Sequence, residues 1–175
     1  MPAVEVASHT KLSARTPAAK RKTVKKRRKP KLFISYRHKT SSDVSGRLRD
    51  RLIEEFGPRR VIKDTDSFPA GYDFSETIRE TMRTCTHVLA LIGRDWLKNR
   101  KQKPGKIDWV LYELKCAIEF GIPIIPILLN GVRMPSESKL PRDLRALAKY
   151  QAVALRPDPD FHIDANRLIT QLRKG

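Results

Sequence analysis

Most of this chain alternates between short apolar runs and longer segments in which apolar residues recur every three or four positions. Each short run predicts a buried β-strand, and each periodic segment predicts a helix with one apolar face. The predicted strands are Lys31–Ser35, Val61–Ile62, Val88–Ile92, Ile124–Leu129 and Ala152–Leu155. The predicted helices begin at about Ser42, at Asp73 and at Asp108, followed by a short helix at Leu144–Ala148 and a last helix at Asp160–Arg173. Asp73 and Glu76 have the spacing of a capping box, which supports a helix start at Asp73.

The regular alternation of strands and helices determines the predicted fold class. Parallel strands joined by right-handed helical crossovers form one sheet that helices cover on both faces. The simplest topology is therefore an α/β fold with a flavodoxin-like, doubly wound parallel sheet of five strands in the order 2-1-3-4-5. Pro126 cannot donate a ladder hydrogen bond, so its strand is expected near an edge of the sheet or irregularly paired.

The first 30 residues differ in composition from the rest of the chain. Residues 1–31 hold eleven Lys and Arg against one acid, Glu5, and so contribute +10 to the formal net charge of +18. They contain few large apolar side chains, and such a segment cannot bury enough surface to offset the entropy lost on ordering. We therefore expect residues 1–30 to form a basic, disordered tail and residues 31–175 to form one domain.

Cysteine content and hydropathy narrow the class of protein further. Two cysteines, Cys85 and Cys116, do not make the disulfide framework that small secreted domains need. The longest apolar run, Ile122–Leu129, has eight residues, two of them proline, and is much shorter than a membrane span. The N-terminal residues include no apolar stretch that resembles a signal-peptide core. We therefore expect a soluble, cytoplasmic protein.

Three loops are expected to converge at the carboxyl edge of the predicted sheet, where ligands of such sheets bind. They are Ser35–His38, Asp64–Gly71 and Gly93–Trp96, and the helix that begins at Asp108 opens at the same edge. The sequence supplies no glycine-rich phosphate loop, no paired carboxylates and no metal-ligand spacing there. Cys116 has no histidine near it in sequence to activate it, so a core or boundary thiol is favoured.

Glu113 is the carboxylate of most interest in the predicted third helix. It lies roughly 100° from the centre of the apolar face, at the border between core and solvent, where it can face a cleft. Trp109 lies one turn earlier, and an aromatic plane beside a shielded carboxylate suits a flat, cationic ligand. The alternative is a surface glutamate that pairs with a Lys or Arg.

Four motifs in this order resemble the TIR (Toll/interleukin-1 receptor) domain family, in its bacterial-type branch. The first-strand motif is Leu32–Arg37, and the second strand with its following loop, called the BB loop, is Val61–Gly71. Asp108–Leu114 resembles the W-x-x-x-E motif of the NAD-cleaving members, and Ile124–Ile127 with Met134–Pro135 resembles the fourth-strand region. The resemblance covers nearly all of Lys31–Leu155.

The resemblance implies an enzyme that cleaves NAD+ into nicotinamide and ADP-ribose or a cyclic ADP-ribose. NAD+ is then the substrate, and no cofactor and no metal are expected. Glu113 is implied as the catalytic residue, because one carboxylate beside the ribose stabilises the positive charge of an oxocarbenium-like state. A second acid is unnecessary, because nicotinamide leaves as a neutral molecule.

Supporting residues follow from the same resemblance. Arg37 is predicted to contact the diphosphate or the ribose, with Tyr36 and Ser35 beside it. Phe68, Trp96 and Trp109 are predicted to stack on the nicotinamide or adenine ring, whereas Phe68 and Trp96 have loop packing as an alternative. Ser75 is expected either to order the second helix or to reach the site.

The first hypothesis is therefore an NAD+-cleaving enzyme with a role in signalling, in bacterial defence or as an effector. Two other hypotheses remain open. Some NAD-cleaving members carry an acid immediately before the Ala-Gly of the BB loop, where this chain has Pro69. A proline there resembles the signalling-adaptor pattern as much as the enzymatic one. The domain is then a non-enzymatic module that binds other TIR domains and self-assembles. In the third hypothesis the basic residues within 11–31 bind nucleic acid or an anionic surface without sequence specificity, or mediate nuclear import in a eukaryote. The alternative is that this tail serves only to keep the protein soluble.

Overall fold

The chain folds as alternating strands and helices. The structure is a computed structural model that describes residues 29–63, 73–97 and 107–174. The strands are β1 (Leu32–Ser35), β2 (Val61–Lys63), β3 (His87–Ile92), β4 (Ile124–Leu129) and β5 (Val153–Leu155). The helices are α1 (His38–Phe56), α2 (Phe74–Arg83), α3 (Trp109–Glu119) and α4 (Phe161–Lys174). Short 3-10 helices occupy Pro58–Arg60, Glu137–Lys139 and Arg142–Lys149. The predicted disordered tail, apart from its last two residues, lies outside the described residues.

The five strands form one parallel sheet in the order β2-β1-β3-β4-β5, which confirms the predicted topology. Leu32 of β1 lies level with Val61 of β2 and His87 of β3. Strand β4 adjoins the edge strand β5, and its pairing with β5 begins at Ile127. Pro126 precedes that pairing, in agreement with its expected position near an edge.

Alternation along the strands divides the core into two clusters, one on each face of the sheet. One cluster packs β1 residues Leu32, Ile34 and Tyr36 against helices α1 and α4. The other packs Phe33 and the alternate residues of β3 against α2, α3 and the 3-10 helix Arg142–Lys149. Ser35 follows the parity of Phe33, so its side chain lies on the α2–α3 face.

The largest departure from the predicted helix boundaries is at the start of α1, whereas the short helix near Leu144 and the last helix differ by one or two residues. Helix α1 begins at His38 rather than at about Ser42, and Ser41 N donates to Arg37 O at 3.0 Å. Its first turn is polar and therefore carries no apolar periodicity. The predicted start of α2 is confirmed, because the Asp73 side chain accepts from the backbone N–H groups of Ser75 and Glu76. Within the described residues, no helix combines the length and apolarity needed to cross a bilayer.

Candidate functional site

The carboxyl end of β1 and the first turns of α3 meet at the predicted edge of the sheet. Ser35 is the last residue of β1, and its Oγ donates to Glu113 Oε2 at 2.5 Å. Both side chains are fully buried. A 2.5 Å separation is at the short end of the range for a hydroxyl bound to a carboxylate, where the bond is stronger than between neutral groups. The pair therefore fixes Glu113 against the strand at the switch point of the sheet.

Glu113 lies deeper than its helical position predicted. The prediction that Glu113 lies at the border between core and solvent is wrong, because none of its side chain is exposed. The alternative of a glutamate in a surface ion pair is wrong for the same reason. Helix α3 contacts β1 as well as β3 and β4, so its buried sector is wider than its apolar stripe. Cys116, one turn further on, is also buried, and its burial raises the pKa of the thiol. That burial agrees with the expected core thiol.

Arg37 joins three segments at this edge. Its Nη1 and Nη2 donate to the two carboxylate oxygens of Asp108 at 3.0 and 2.7 Å, and its Nε donates to the Trp96 carbonyl at 2.9 Å. Asp108 also caps α3 by accepting from Leu111 N. Arg37 is 8% exposed, so this bidentate pair is nearly buried. Its predicted contact with a diphosphate or ribose stays a prediction, and the structure adds a role in positioning the start of α3.

Tyr36 is the predicted site residue that the structure does not bring to Glu113. It alternates with Ser35, and its ring lies in the cluster on the α1–α4 face. Its hydroxyl lies 3.1 Å from His38 Nδ1, and Lys63 Nζ lies 4.8 Å from the centre of its ring. A side chain on that face lies across the sheet from Ser35 and Glu113, so the expectation that Tyr36 lines the site beside Arg37 has no support in this geometry.

Three aromatic rings form a cluster beside the start of α3. The Trp109 ring packs edge-to-face on Phe74 at 4.4 Å and on Tyr112 at 5.8 Å, measured between ring centroids. Tyr112 donates its hydroxyl to Ser75 O at 3.4 Å, which ties α3 to the first turn of α2. Trp109 remains partly exposed, whereas Trp96 is 2% exposed within the core. Loop packing therefore describes Trp96, and stacking of Trp109 on a ligand ring stays a prediction.

The remaining predicted residues divide between structural roles and the undescribed segments. Ser75 Oγ donates to Asp73 Oδ1 at 2.5 Å, so Ser75 helps to order the start of α2. Phe68 and Pro69 lie outside the described residues. Phe74 was missed as a site neighbour, and Asp108 and Tyr112 were placed at this edge without a role. The spacing of three between Trp109 and Tyr112 was the available signal for their contact.

The sheet order, the buried carboxylate on α3 and the contact of Arg37 with Trp96 define a doubly wound α/β module with a candidate site at the switch point. The family model for the TIR domain matches residues 32–169, and the chain therefore belongs to the TIR domain family. The match continues beyond the motifs at Lys31–Leu155 and includes most of α4.

Curated relatives carry the same domain within much longer proteins. The NAD(+) hydrolase tir-1 of Caenorhabditis elegans is 29% identical over 123 residues, which are 70% of this chain and 12% of the relative. The NAD(+) hydrolase sarm1 of Drosophila melanogaster is 26% identical over 123 residues, 70% of this chain and 9% of the relative. The NAD(+) hydrolase SARM1 of Danio rerio is 25% identical over 142 residues, 81% of this chain and 19% of the relative. The chain thus spans less than a fifth of the length of these relatives.

Solved structures agree on the fold. The TIR domains of the activated Roq1 resistosome, which recognises the pathogen effector XopQ, superpose with a TM-score of 0.64 at 13% identity, covering 82% of this chain and 99% of that chain. A prokaryotic SEFIR domain superposes with a TM-score of 0.55 at 20% identity, covering 82% and 97%. At these identities the likeness extends to the fold alone.

Proposed function

We propose that this TIR domain is an NAD+ glycohydrolase, with Glu113 as the catalytic residue. The observation that carries the proposal is the buried carboxylate of Glu113, held 2.5 Å from Ser35 Oγ at the carboxyl edge of the sheet. Similarity to three proteins named NAD(+) hydrolase supports it. The proposed products are nicotinamide with ADP-ribose or a cyclic ADP-ribose, and the proposed setting is cytoplasmic signalling or defence.

In the proposed reaction the bond between nicotinamide and ribose breaks through an oxocarbenium-like state. The Glu113 carboxylate stabilises the positive charge that develops on the ribose, and the nicotinamide leaves with the bonding electron pair as a neutral ring. Water, or the adenine of the same molecule, then attacks the ribose carbon. A site walled by protein strengthens the carboxylate's interaction with that charge, because the dielectric there is lower than in water.

Ser35 is a positioning residue in this proposal. Its hydrogen bond restrains the Glu113 side chain in one rotamer, and Trp109, four residues before Glu113, offers its partly exposed ring to the nicotinamide or adenine. Arg37 and Asp108 hold the start of α3 at the end of β1. Because Glu113 is fully buried, NAD+ reaches it only after the surrounding loops rearrange. We therefore expect turnover to depend on self-assembly of the domain.

The test is nicotinamide release from NAD+ by concentrated protein, compared with Glu113→Ala and Glu113→Gln. A matched control is Glu119→Gln, which changes an exposed carboxylate on the same helix. Release by the wild type and by the control, and none by either Glu113 variant, is the expected result. Equal release by all four proteins would show that Glu113 is not the catalytic group.

A second candidate function is a non-enzymatic module that binds other TIR domains. Complete burial of Glu113 favours it, because a carboxylate bound to Ser35 inside the core also serves to join α3 to β1. No nicotinamide release by the wild type, even at concentrations where the protein self-associates, would select this function.

A further inference from the structure

A strongly basic surface lies at the edge of the sheet opposite Glu113. The amino ends of β2, β1 and β3 are level there, because Leu32 is in register with Val61 and with His87. Neighbouring strands lie about 4.8 Å apart, so the three strand starts span about 10 Å. We call this surface the amino edge, and it comprises the residues just before the three strands: Lys29–Lys31, Arg59–Arg60 and Arg83–Thr86.

The amino edge carries five cationic side chains, namely Lys29, Lys31, Arg59, Arg60 and Arg83. Arg60 Nη1 donates to Lys29 O at 2.9 Å, which places the cations before β2 beside the segment that enters β1. Lys31 Nζ donates to Thr84 Oγ1 at 2.7 Å, which places Lys31 beside the end of α2. Lys29, Arg59 and Arg83 are exposed, and the other two are half-buried. The five charges therefore form one surface.

Acidic side chains near the amino edge are engaged elsewhere. Two nearby carboxylates pair with arginines outside the amino edge, Glu54 with Arg51 and Glu55 with Arg173. Glu119 pairs with Arg79 and also attracts Arg83. Within residues 29–63, 73–97 and 107–174, none of the five cations of the amino edge forms an ion pair. Apart from the attraction between Arg83 and Glu119, the positive charge of this surface thus has no acidic partner in the described part of the domain.

The basic N-terminal segment joins the domain at this same surface. Eight of the ten residues from Lys20 to Lys29 are Lys or Arg, and no acid occurs between Glu5 and Asp43. Lys29 is held at the amino edge through its carbonyl oxygen.

We propose that the amino edge binds the phosphate backbone of nucleic acid. About 10 Å of duplex carries about six phosphate charges, similar to the five cations of the amino edge. Arginine matches phosphate oxygens with two parallel N–H groups, and three of these five cations are arginines. Binding at this surface leaves the Glu113 edge open to substrate.

Nucleic acid is favoured over a membrane because of what the amino edge lacks. Surfaces that dock on membranes place large apolar or aromatic side chains among their basic residues. The exposed large hydrophobic residues of the described chain are Ile107, Tyr150 and Ile163, and none of them immediately precedes β1, β2 or β3. A surface of cations alone recognises phosphates irrespective of base sequence.

The experiment measures binding of the full chain to a fluorescent 20-base-pair DNA duplex of mixed sequence between 50 and 200 mM salt. The edge variant is Arg59→Gln/Arg60→Gln. The matched control is Arg94→Gln/Arg133→Gln, which removes the same charge from exposed positions after the carboxyl ends of β3 and β4. Each phosphate contact contributes about 0.9 to the slope of log affinity against log salt. A variant with two contacts fewer therefore loses about twelvefold less affinity than the wild type when the salt is raised from 50 to 200 mM.

The expected result is the reduced slope for the edge variant, the wild-type slope for the control, and recovery by Arg59→Lys/Arg60→Lys, which restores the charge. Thermal midpoints of the variants, read alongside, establish that each is folded. An unchanged slope in the edge variant would overturn the proposal, because the tail alone would then bind. Equal losses in the edge and control variants would also overturn it, because net charge would be the cause. Tighter binding to vesicles of 30% phosphatidylserine in phosphatidylcholine than to the duplex would assign the surface to membranes instead.

Discussion

Replacing Asp108 with asparagine tests whether the Arg37–Asp108 pair holds the start of α3 at the end of β1. The substitution removes one charge but keeps a side chain that caps helices as well as aspartate does. The Arg37 and Asp108 side chains are 9% and 12% exposed, and two hydrogen bonds of 3.0 and 2.7 Å join them. The Arg37 guanidinium would be left nearly buried without its counter-ion.

The expected loss follows from that burial. Removing one partner of a buried ion pair costs about 3–5 kcal/mol, because the remaining charge stays desolvated. Since both side chains keep a little exposure, we expect the lower end, about 3 kcal/mol in the free energy of unfolding. For a chain of this size that corresponds to a thermal midpoint lower by about 6–12 °C.

Thermal and urea unfolding of four proteins provide the assay: wild type, Asp108→Asn, Arg37→Met/Asp108→Asn and Glu119→Gln. The double variant replaces the guanidinium with an apolar side chain, so it should be more stable than the single Asp108 variant. Glu119 belongs to an exposed pair with Arg79, and its variant should change stability much less. A shift for Asp108→Asn no larger than that for Glu119→Gln, or a double variant less stable than Asp108→Asn, would refute the reasoning.

Three further outcomes are expected. Ser35→Ala removes the 2.5 Å hydrogen bond to Glu113 and should lower the free energy of unfolding by about 1–3 kcal/mol; an unchanged urea midpoint would contradict that cost. Asp164 is bound by Arg156, whose hydrogen bonds lower the pKa of the carboxyl from 3.8 to about 2. Because this pKa is lower in the folded than in the unfolded protein, the carboxylate contributes fully to the free energy of unfolding above the unfolded-state pKa near 4. That contribution is lost as the pH falls towards 2. Unfolding midpoints measured across that range should therefore fall more steeply in the wild type than in Asp164→Asn, and parallel curves would exclude the pair as the cause. Burial raises the pKa of Cys85 to about 11, so a thiol reagent at pH 8 should modify it only after unfolding, and rapid modification of the native protein would contradict its burial.

Local features of the sequence predicted the fold correctly. Strand runs such as Val88–Ile92 are apolar at every position because helices cover both faces of a parallel sheet. Asp73 was recognised as a helix start from its capping-box spacing to Glu76, a local signal, and its side chain bonds to backbone groups two and three residues away. The polar first turn of α1 was missed, because a turn held by the backbone alone leaves no apolar periodicity.

Features of the site that depend on distant contacts escaped prediction. Sequence placed Ser35, Arg37 and Glu113 at one edge of the sheet, since carboxyl ends of neighbouring parallel strands meet there. It did not pair Arg37 with Asp108, which is 71 residues away, or Ser35 with Glu113, which is 78 residues away. It also grouped Tyr36 with Ser35, although alternate strand residues point to opposite faces.

The sequence by itself determined the order of the elements, the parallel topology and the edge at which the site lies, because each depends on periodicity, capping and handedness within short stretches of chain. Only the tertiary structure decided that Glu113 is buried, that Arg37 clamps α3, and that the cations before β1, β2 and β3 form one surface. These properties depend on which side chains meet after the strands align in register. Strand register and helix packing depend on contacts throughout the core, so no short segment of the sequence predicts them.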